Sequence, residues 1–181
     1  MTKLQKLCTL LALLSLIACD DQASKRTTQR QQAPASNNSQ AIQGMEQLKA
    51  RVAMNPMDFA ALSELADMYF ESGQYIDAFQ TYDKAIAINP NCADCYNDRG
   101  LSLFYIGDPV SALESLDKAV AIDPTFVHAW LSKGYVLISS GRYQEAVAPL
   151  NKVKELDGTG PLAIQADKFL ATIAENTPDG G

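Results

Sequence analysis

Two cysteines three positions apart, in Cys92-Ala93-Asp94-Cys95, are the residues of this chain whose type and spacing most readily suggest chemistry. Such a pair can be a redox dithiol, half of a tetrahedral zinc site or a local disulfide. Haem attachment would need histidine after the second cysteine, and Tyr96 stands there. A structural zinc site needs two further ligands, and the chain has one histidine, His128. Dithiol oxidoreductase folds need strands, whereas the apolar pattern here has helical spacing throughout. The favoured reading is a disulfide that braces the turn before a helix in an oxidising compartment. Two free thiols, or thiol-redox or metal-relay chemistry at Cys92 and Cys95, remain the alternatives. His128 has no nucleophile, base and orienting acid around it at a recognisable spacing, and no glycine-rich loop follows a strand. The expectation is a protein with no catalytic residues, no metal site and no cofactor.

The elements that position these residues recur at a fixed interval. Pro56, Pro90 and Pro124 close Asn-Pro or Asp-Pro dipeptides spaced by 34 residues. Between them Leu62, Tyr96 and Trp130 are in step, as are Ala66, Gly100 and Gly134, and Gly73, Gly107 and Gly141. Ala78, Ala112 and Ala146 follow, then Tyr82, Leu116 and Leu150, then Ala85, Ala119 and Val153. A strict period of this length points to stacked supersecondary units. Leu62, Leu65, Tyr69 and Phe70 follow helical spacing, and Gly73 can take the positive φ that ends a helix. Small residues at Ala66, Gly100 and Gly134 let one helix approach its partner closely. Asp108-Pro109 reads as an N-cap followed by proline at the first helical position.

This register resembles the tetratricopeptide repeat, over residues 59–158. The resemblance implies an all-α, right-handed solenoid of about three helix pairs, at about 59–92, 93–126 and 127–160, whose first helices line a concave peptide-binding surface. Met45, Leu48 and Val52 place a leading helix at 41–54, in phase with the second helix of a repeat that lacks its first. Leu162, Ile164, Phe169, Leu170 and Ile173 place a capping helix at 161–175. The domain therefore spans 41–176, and 177–181 reads as a frayed terminus. Pro149 should bend the second helix of repeat three, and Gly158, standing where the other repeats have proline, suggests that the array is ending.

By the same resemblance the second, fifth, ninth, twelfth and thirteenth positions of each first helix face the groove. Repeat one contributes Ala60, Ser63, Asp67, Phe70 and Glu71, and repeat two Asp94, Asn97, Leu101, Phe104 and Tyr105. Repeat three contributes His128, Leu131, Tyr135, Ile138 and Ser139. That surface has an aromatic and aliphatic floor with acidic edges. Chaperone-binding repeats hold a C-terminal carboxylate with lysines, arginine and asparagines, and the matching positions here carry Ser63, Asp67, Asp98, His128 and Ser132. Carboxylates in place of cations would repel that ligand. A protein partner offering an extended or helical segment with apolar anchors and a basic flank fits better. Flanking helices filling part of the groove, or self-association of the apolar face into a homo-oligomeric spacer, are the other readings.

Residues 1–18 have a basic start at Lys3 and Lys6 and an apolar run, and they form a secretory signal too short to span a membrane. Leu16-Ile17-Ala18-Cys19 resembles the bacterial lipoprotein lipobox, which implies cleavage before Cys19 and its acylation. Several acyl chains on one residue, palmitate among them, make a stable membrane anchor. Asp20 resembles the enterobacterial signal for retention at the periplasmic face of the inner membrane, if the source is Gram-negative; the outer membrane is the alternative. Residues 19–40 have almost no apolar side chain larger than alanine and read as a flexible linker.

The net charge of −6, with two lysines in the segment to be removed, leaves about −8. Acidic balance of this kind argues against nucleic acid as a partner.

Overall fold

The computed structural model describes residues 33–176, with side chains from residue 40. They fall into two compact units, residues 1–46 and 47–181. The described part of the first is the beginning of one helix, α1 (Ala33–Met54). The second holds the end of α1 and seven further helices: α2 (Phe59–Glu71), α3 (Tyr75–Ile88), α4 (Ala93–Tyr105), α5 (Pro109–Ile122), α6 (Val127–Ser139), α7 (Tyr143–Asp157) and α8 (Pro161–Asn176). No strand occurs among the described residues.

Three helix pairs, α2/α3, α4/α5 and α6/α7, follow the period seen in the sequence. Each pair turns on a glycine with positive φ: Gly73 at 74°, Gly107 at 90° and Gly141 at 73°. The bonds around each turn repeat. Gly73 N–H donates to Phe70 C=O and Gln74 N–H to Tyr69 C=O, which satisfies two carbonyls left open at the end of α2. The same bonds recur from Gly107 to Phe104 and from Asp108 to Leu103, and again from Gly141 to Ile138 and from Arg142 to Leu137. Helix starts are capped by side chains, with Asp58 accepting from Ala61 N–H and Asp108 from Ser111 N–H, each at 3.0 Å. Pro109 occupies the first turn of α5.

From α2 onward consecutive helices pack in order, and first helices also meet each other: α2 touches α4, α4 touches α6, and α6 touches α8. An array whose first helices touch curves with those helices on the inside, so their free faces line the concave surface. The core lies between the layers. Leu62, Leu116 and Leu150 are fully enclosed, as are Tyr82 and Val153.

Two boundaries differ from the sequence reading. α1 begins at Ala33, so residues 33–40, expected in the linker, are helical. Leu48 is buried and Val52 packs against the buried cluster that holds Leu62, Ala66 and Tyr82, and a helix held there can propagate upstream. Pro34 falls in the first turn, where its missing N–H costs nothing. α8 ends at Asn176, and α7 runs through the buried Pro149 as one helix. Residues 1–32, with Cys19, and residues 177–181 lie outside the described residues.

A Cβ on Gly100 would lie 2.9 Å from Leu116 Cγ and 3.0 Å from the Ala112 carbonyl oxygen, and one on Gly134 would lie 2.6 Å from Leu150 Cδ2. Both leucines are fully enclosed and cannot swing away. Overpacking of this kind costs about 1–3 kcal/mol, against about 1 kcal/mol gained from helix propensity. Gly100→Ala is therefore expected to lower the unfolding free energy by about 1 kcal/mol in urea denaturation, although alanine occupies the equivalent position 66 without difficulty.

Candidate functional site

The inner face carries two adjoining surfaces, one aromatic and one acidic. Near the C-terminal ends of the first helices the rings form an unbroken chain. Phe70 of α2 lies 5.9 Å from Tyr105 of α4, Tyr105 lies 5.6 Å from Phe104, Phe104 lies 5.5 Å from Tyr135 of α6, and Tyr135 lies 6.1 Å from Phe169 of α8. Tyr75 of α3 stacks on Tyr105 at 4.6 Å and holds that ring at the rim, where it stays 47% exposed. Beside this chain a hollow of about 280 Å³ is lined by Leu101, Tyr105, Leu131, Ser132, Tyr135, Gln165 and Phe169. Half-buried rings around an open hollow supply apolar area and a polar rim, which is what a docking segment needs.

The acidic surface lies toward the start of α4. Asp67 accepts a hydrogen bond from Tyr82 Oη at 2.6 Å, and Asp98 accepts one from Asn97 Nδ2 at 2.8 Å. Burial, then the charges of Asp94 and Asp67, push the Asp98 carboxyl up to about 7. Burial also raises Asp67, with Asp94, Glu71 and Glu64 adding to it against the Tyr82 hydrogen bond. Tyr82 is raised by its own burial and by Asp67. The cations of α4 and α6 belong to the opposite face: Arg99 pairs with Asp83 of α3 at 2.6 Å, and Lys133 pairs with Asp117 of α5.

Most of the residues assigned to the groove fall on these two surfaces. Phe70, Leu101, Phe104, Tyr105, Leu131 and Tyr135 belong to the aromatic one, and Asp67 and Asn97 to the acidic one. Glu71 is exposed at the edge and acts on Asp67 through its charge. Asp94 is exposed near the start of α4 and acts on Asp98 through its charge, and Ala60 and Ser139 are exposed. Ser63 turns its hydroxyl back to the carbonyls of Phe59 and Ala60, Ile138 is partly buried against the same core cluster as Leu101, Phe104 and Tyr135, and His128 is exposed with its ring 5.9 Å from Phe126. Tyr75, Tyr82, Gln165 and Phe169 were not among the residues assigned from sequence. Tyr75 opens α3 just after the turn at Gly73, but its stacking on Tyr105 of the next repeat is a tertiary fact.

Cys92 and Cys95 are joined by a disulfide with Cα atoms 5.3 Å apart. Cys92 is the N-cap of α4, and its sulfur accepts from Cys95 N–H at 3.1 Å. Cys95 is 3% exposed and packs with Leu62, Ala66 and Tyr82, so the bridge ties the turn between repeats to the core of repeat one. No grouping of three metal-ligating side chains occurs among the described residues. No described helix is long and apolar enough to cross a membrane.

Residues 66–107 match a family model described as TPR repeat, and residues 97–161 match one described as tetratricopeptide repeat. Together the spans run over 66–161, more than half of the 181 residues, and the chain belongs to the tetratricopeptide repeat family. No curated protein matches it in sequence. Among solved structures it is similar to the crystal structure of MamA, with a TM-score of 0.68 and 22% identity, over 73% of this chain and 75% of that one. It is also similar to the TPR2B domain of yeast Sti1 in a pHsp70 complex, with a TM-score of 0.64 and 22% identity over 67% of this chain and 99% of that one. A third is the first TPR of Spaghetti (RPAP3) bound to the HSP90 peptide SRMEEVD, with a TM-score of 0.61 and 22% identity over 65% of this chain and 94% of that one. At such identities the likeness is one of fold.

Two outcomes follow. Closing a loop of about four residues is worth about 2 kcal/mol, so reduction of the disulfide is expected to lower the unfolding free energy by about that much in urea denaturation while far-ultraviolet circular dichroism stays helical. The second concerns pH. A carboxyl raised to about 7 in the fold and near 3.8 when unfolded binds its proton more tightly in the fold, so its contribution to stability falls as pH rises between those values. The depressed carboxylates at helix starts, Asp58 and Asp108, act in the opposite sense but are fully ionised by about pH 5. Thermal melts should show wild type less stable at pH 8 than at pH 5. Asp98→Asn should melt higher than wild type at pH 8 and depend less on pH.

Proposed function

We propose that this protein is a lipid-anchored adaptor that binds a segment of a partner protein in its concave groove and recruits it to a membrane surface during assembly of an envelope complex. The observation that carries the reading is the ring chain from Phe70 to Phe169, which lines the inner face and leaves a hollow beside it. A core would enclose these rings. Here Tyr105 stays half exposed and the hollow stays open, as in a surface kept for a visitor. α8 walls one end of the hollow with Gln165 and Phe169 and leaves the rest free.

The similar RPAP3 domain was solved with a peptide, SRMEEVD, that is rich in acidic residues. The fold therefore supports peptide binding, while the carboxylates of this groove call for a partner of the opposite charge. The anchor rests on the sequence around Cys19 and on the basic, apolar segment before it. That pattern supports a domain held outside the cytoplasm, and Asp20 favours the inner membrane if the source is Gram-negative.

The test joins both halves. Metabolic labelling with palmitate should mark the wild-type chain in the membrane fraction and leave Cys19→Ala unlabelled. Crosslinking from intact membranes should yield specific partners that Tyr105→Glu loses at least about tenfold, since burying an unpaired carboxylate in an apolar contact is strongly unfavourable. Tyr105 suits this purpose because its exposure lets the fold survive the change. Partners unchanged in Tyr105→Glu would move the interface off the groove.

A further inference from the structure

The acidic surface contains an atom that the chain itself does not satisfy. Asn97 is 5% exposed, and its Oδ1 is enclosed without a hydrogen-bond partner. The amide that carries this oxygen lies against Asp98, to which its Nδ2 donates. A buried acceptor without a donor is uncommon in a folded protein and calls for an explanation. Its surroundings supply more acceptors. Asp67, Asp94 and Asp98 gather here, and among the described residues Tyr82 Oη donates to Asp67 and the Asn97 amide to Asp98.

We propose that this corner receives a lysine or arginine side chain from the partner segment, whose N–H groups donate to Asp98, Asp94 and, once the amide turns and gives up its Nδ2 bond to Asp98, Asn97 Oδ1. The inference rests on the groove reading above and gives the partner a chemistry. An ammonium or guanidinium is a compact bundle of donors with no acceptor, the complement of a pocket of acceptors with few donors.

The same helix face sets the spacing of the ligand. Asp94, Asp98, Leu101 and Tyr105 lie along one side of α4, with the acids toward its start and the hollow toward its end. From Asp98 to Leu101 and Tyr105 is about one and two turns, or roughly 5–10 Å. In an extended peptide this separates the basic residue from its apolar anchor by about two or three residues.

Asp98 shares its environment with Asp67 of α2, Asp94 of its own helix and Tyr82 of α3, while the cations Arg99 and Lys133 are paired with Asp83 and Asp117 and His128 is turned to Phe126. With its carboxyl raised to about 7, Asp98 loses its proton as pH rises through neutrality, and the corner then gains attraction for a cation. Cation binding releases a proton and tightens from pH 6 to pH 8.

The experiment pans a displayed library of random heptapeptides against the full chain, then measures synthetic consensus peptides with blocked ends by calorimetry. Enrichment of lysine or arginine two or three residues from an aromatic or aliphatic residue is expected. Replacing that lysine with norleucine should weaken binding to wild type by about tenfold, and by less than about twofold to Asp98→Asn, as the loss of one charge-assisted contact predicts. Asp94→Asn, at an exposed position, gives the same comparison without touching the core. Peptides lost by Tyr105→Glu but free of basic residues would overturn the cation pocket and leave the groove standing. Peptides insensitive to Tyr105→Glu, or no enrichment at all, would overturn both.

Discussion

The contact on which the array depends is the approach of two helices within each repeat, where a residue with little or no side chain faces a large one. Gly100 meets Leu116 and Gly134 meets Leu150 so closely that a single added carbon would clash. In repeat one the equivalent pair is Ala66 and Tyr82, both fully buried. A flat ring at that position tolerates a methyl opposite it, whereas a leucine branched at Cγ does not. The glycine therefore follows the shape of its partner, and the pair changes as a unit between repeats.

That contact decides what is left over for function. Once each pair is closed, the second helices and one face of the first helices are committed to the core, and the free face of the first helices becomes the groove. The first helices touch their neighbours across repeats, which brings residues 34 positions apart into register along one surface. Phe70 and Tyr105 differ by one repeat and one position, and Phe104 and Tyr135 by nearly one repeat, so the ring chain is the period made spatial. Tyr82 joins the two roles. Its ring fills the closest contact of repeat one and its hydroxyl emerges far enough to hold Asp67 on the other side.

The helices, their turns and the glycine conformations were legible in the sequence because each depends on neighbours a few residues away. Gly73, Gly107 and Gly141 are in step because the same turn needs the same φ three times. The start of α1 was not legible. Residues 33–40 carry no large aliphatic or aromatic side chain from which a hydrophobic pattern could be read, and a helix held around Leu48 can propagate into them. The groove was legible in part, since the family pattern says which positions face inward but not which side chains use themselves up locally. Ser63 turned its hydroxyl to its own helix, and His128 turned to Phe126. Tyr75 and Phe169 were hidden for the converse reason, because they reach the site from a second helix and from the cap.

The acidic corner works against the fold that carries it. The Asp98 carboxyl is held partly buried near the carboxyls of Asp67 and Asp94, which raise it further, and an enclosed amide oxygen goes without a donor among the described residues. An apolar residue at position 98 would remove much of that penalty, and the neighbouring Leu101 and Leu103 show that α4 readily accepts one. Arg99 lies next in sequence, yet it is committed to Asp83 on the outer side. The tetratricopeptide scaffold can absorb the cost because its stability is spread over several helix interfaces rather than resting on one. A destabilising cluster on a surface already shaped to receive a peptide is accounted for when the missing positive charge belongs to another chain.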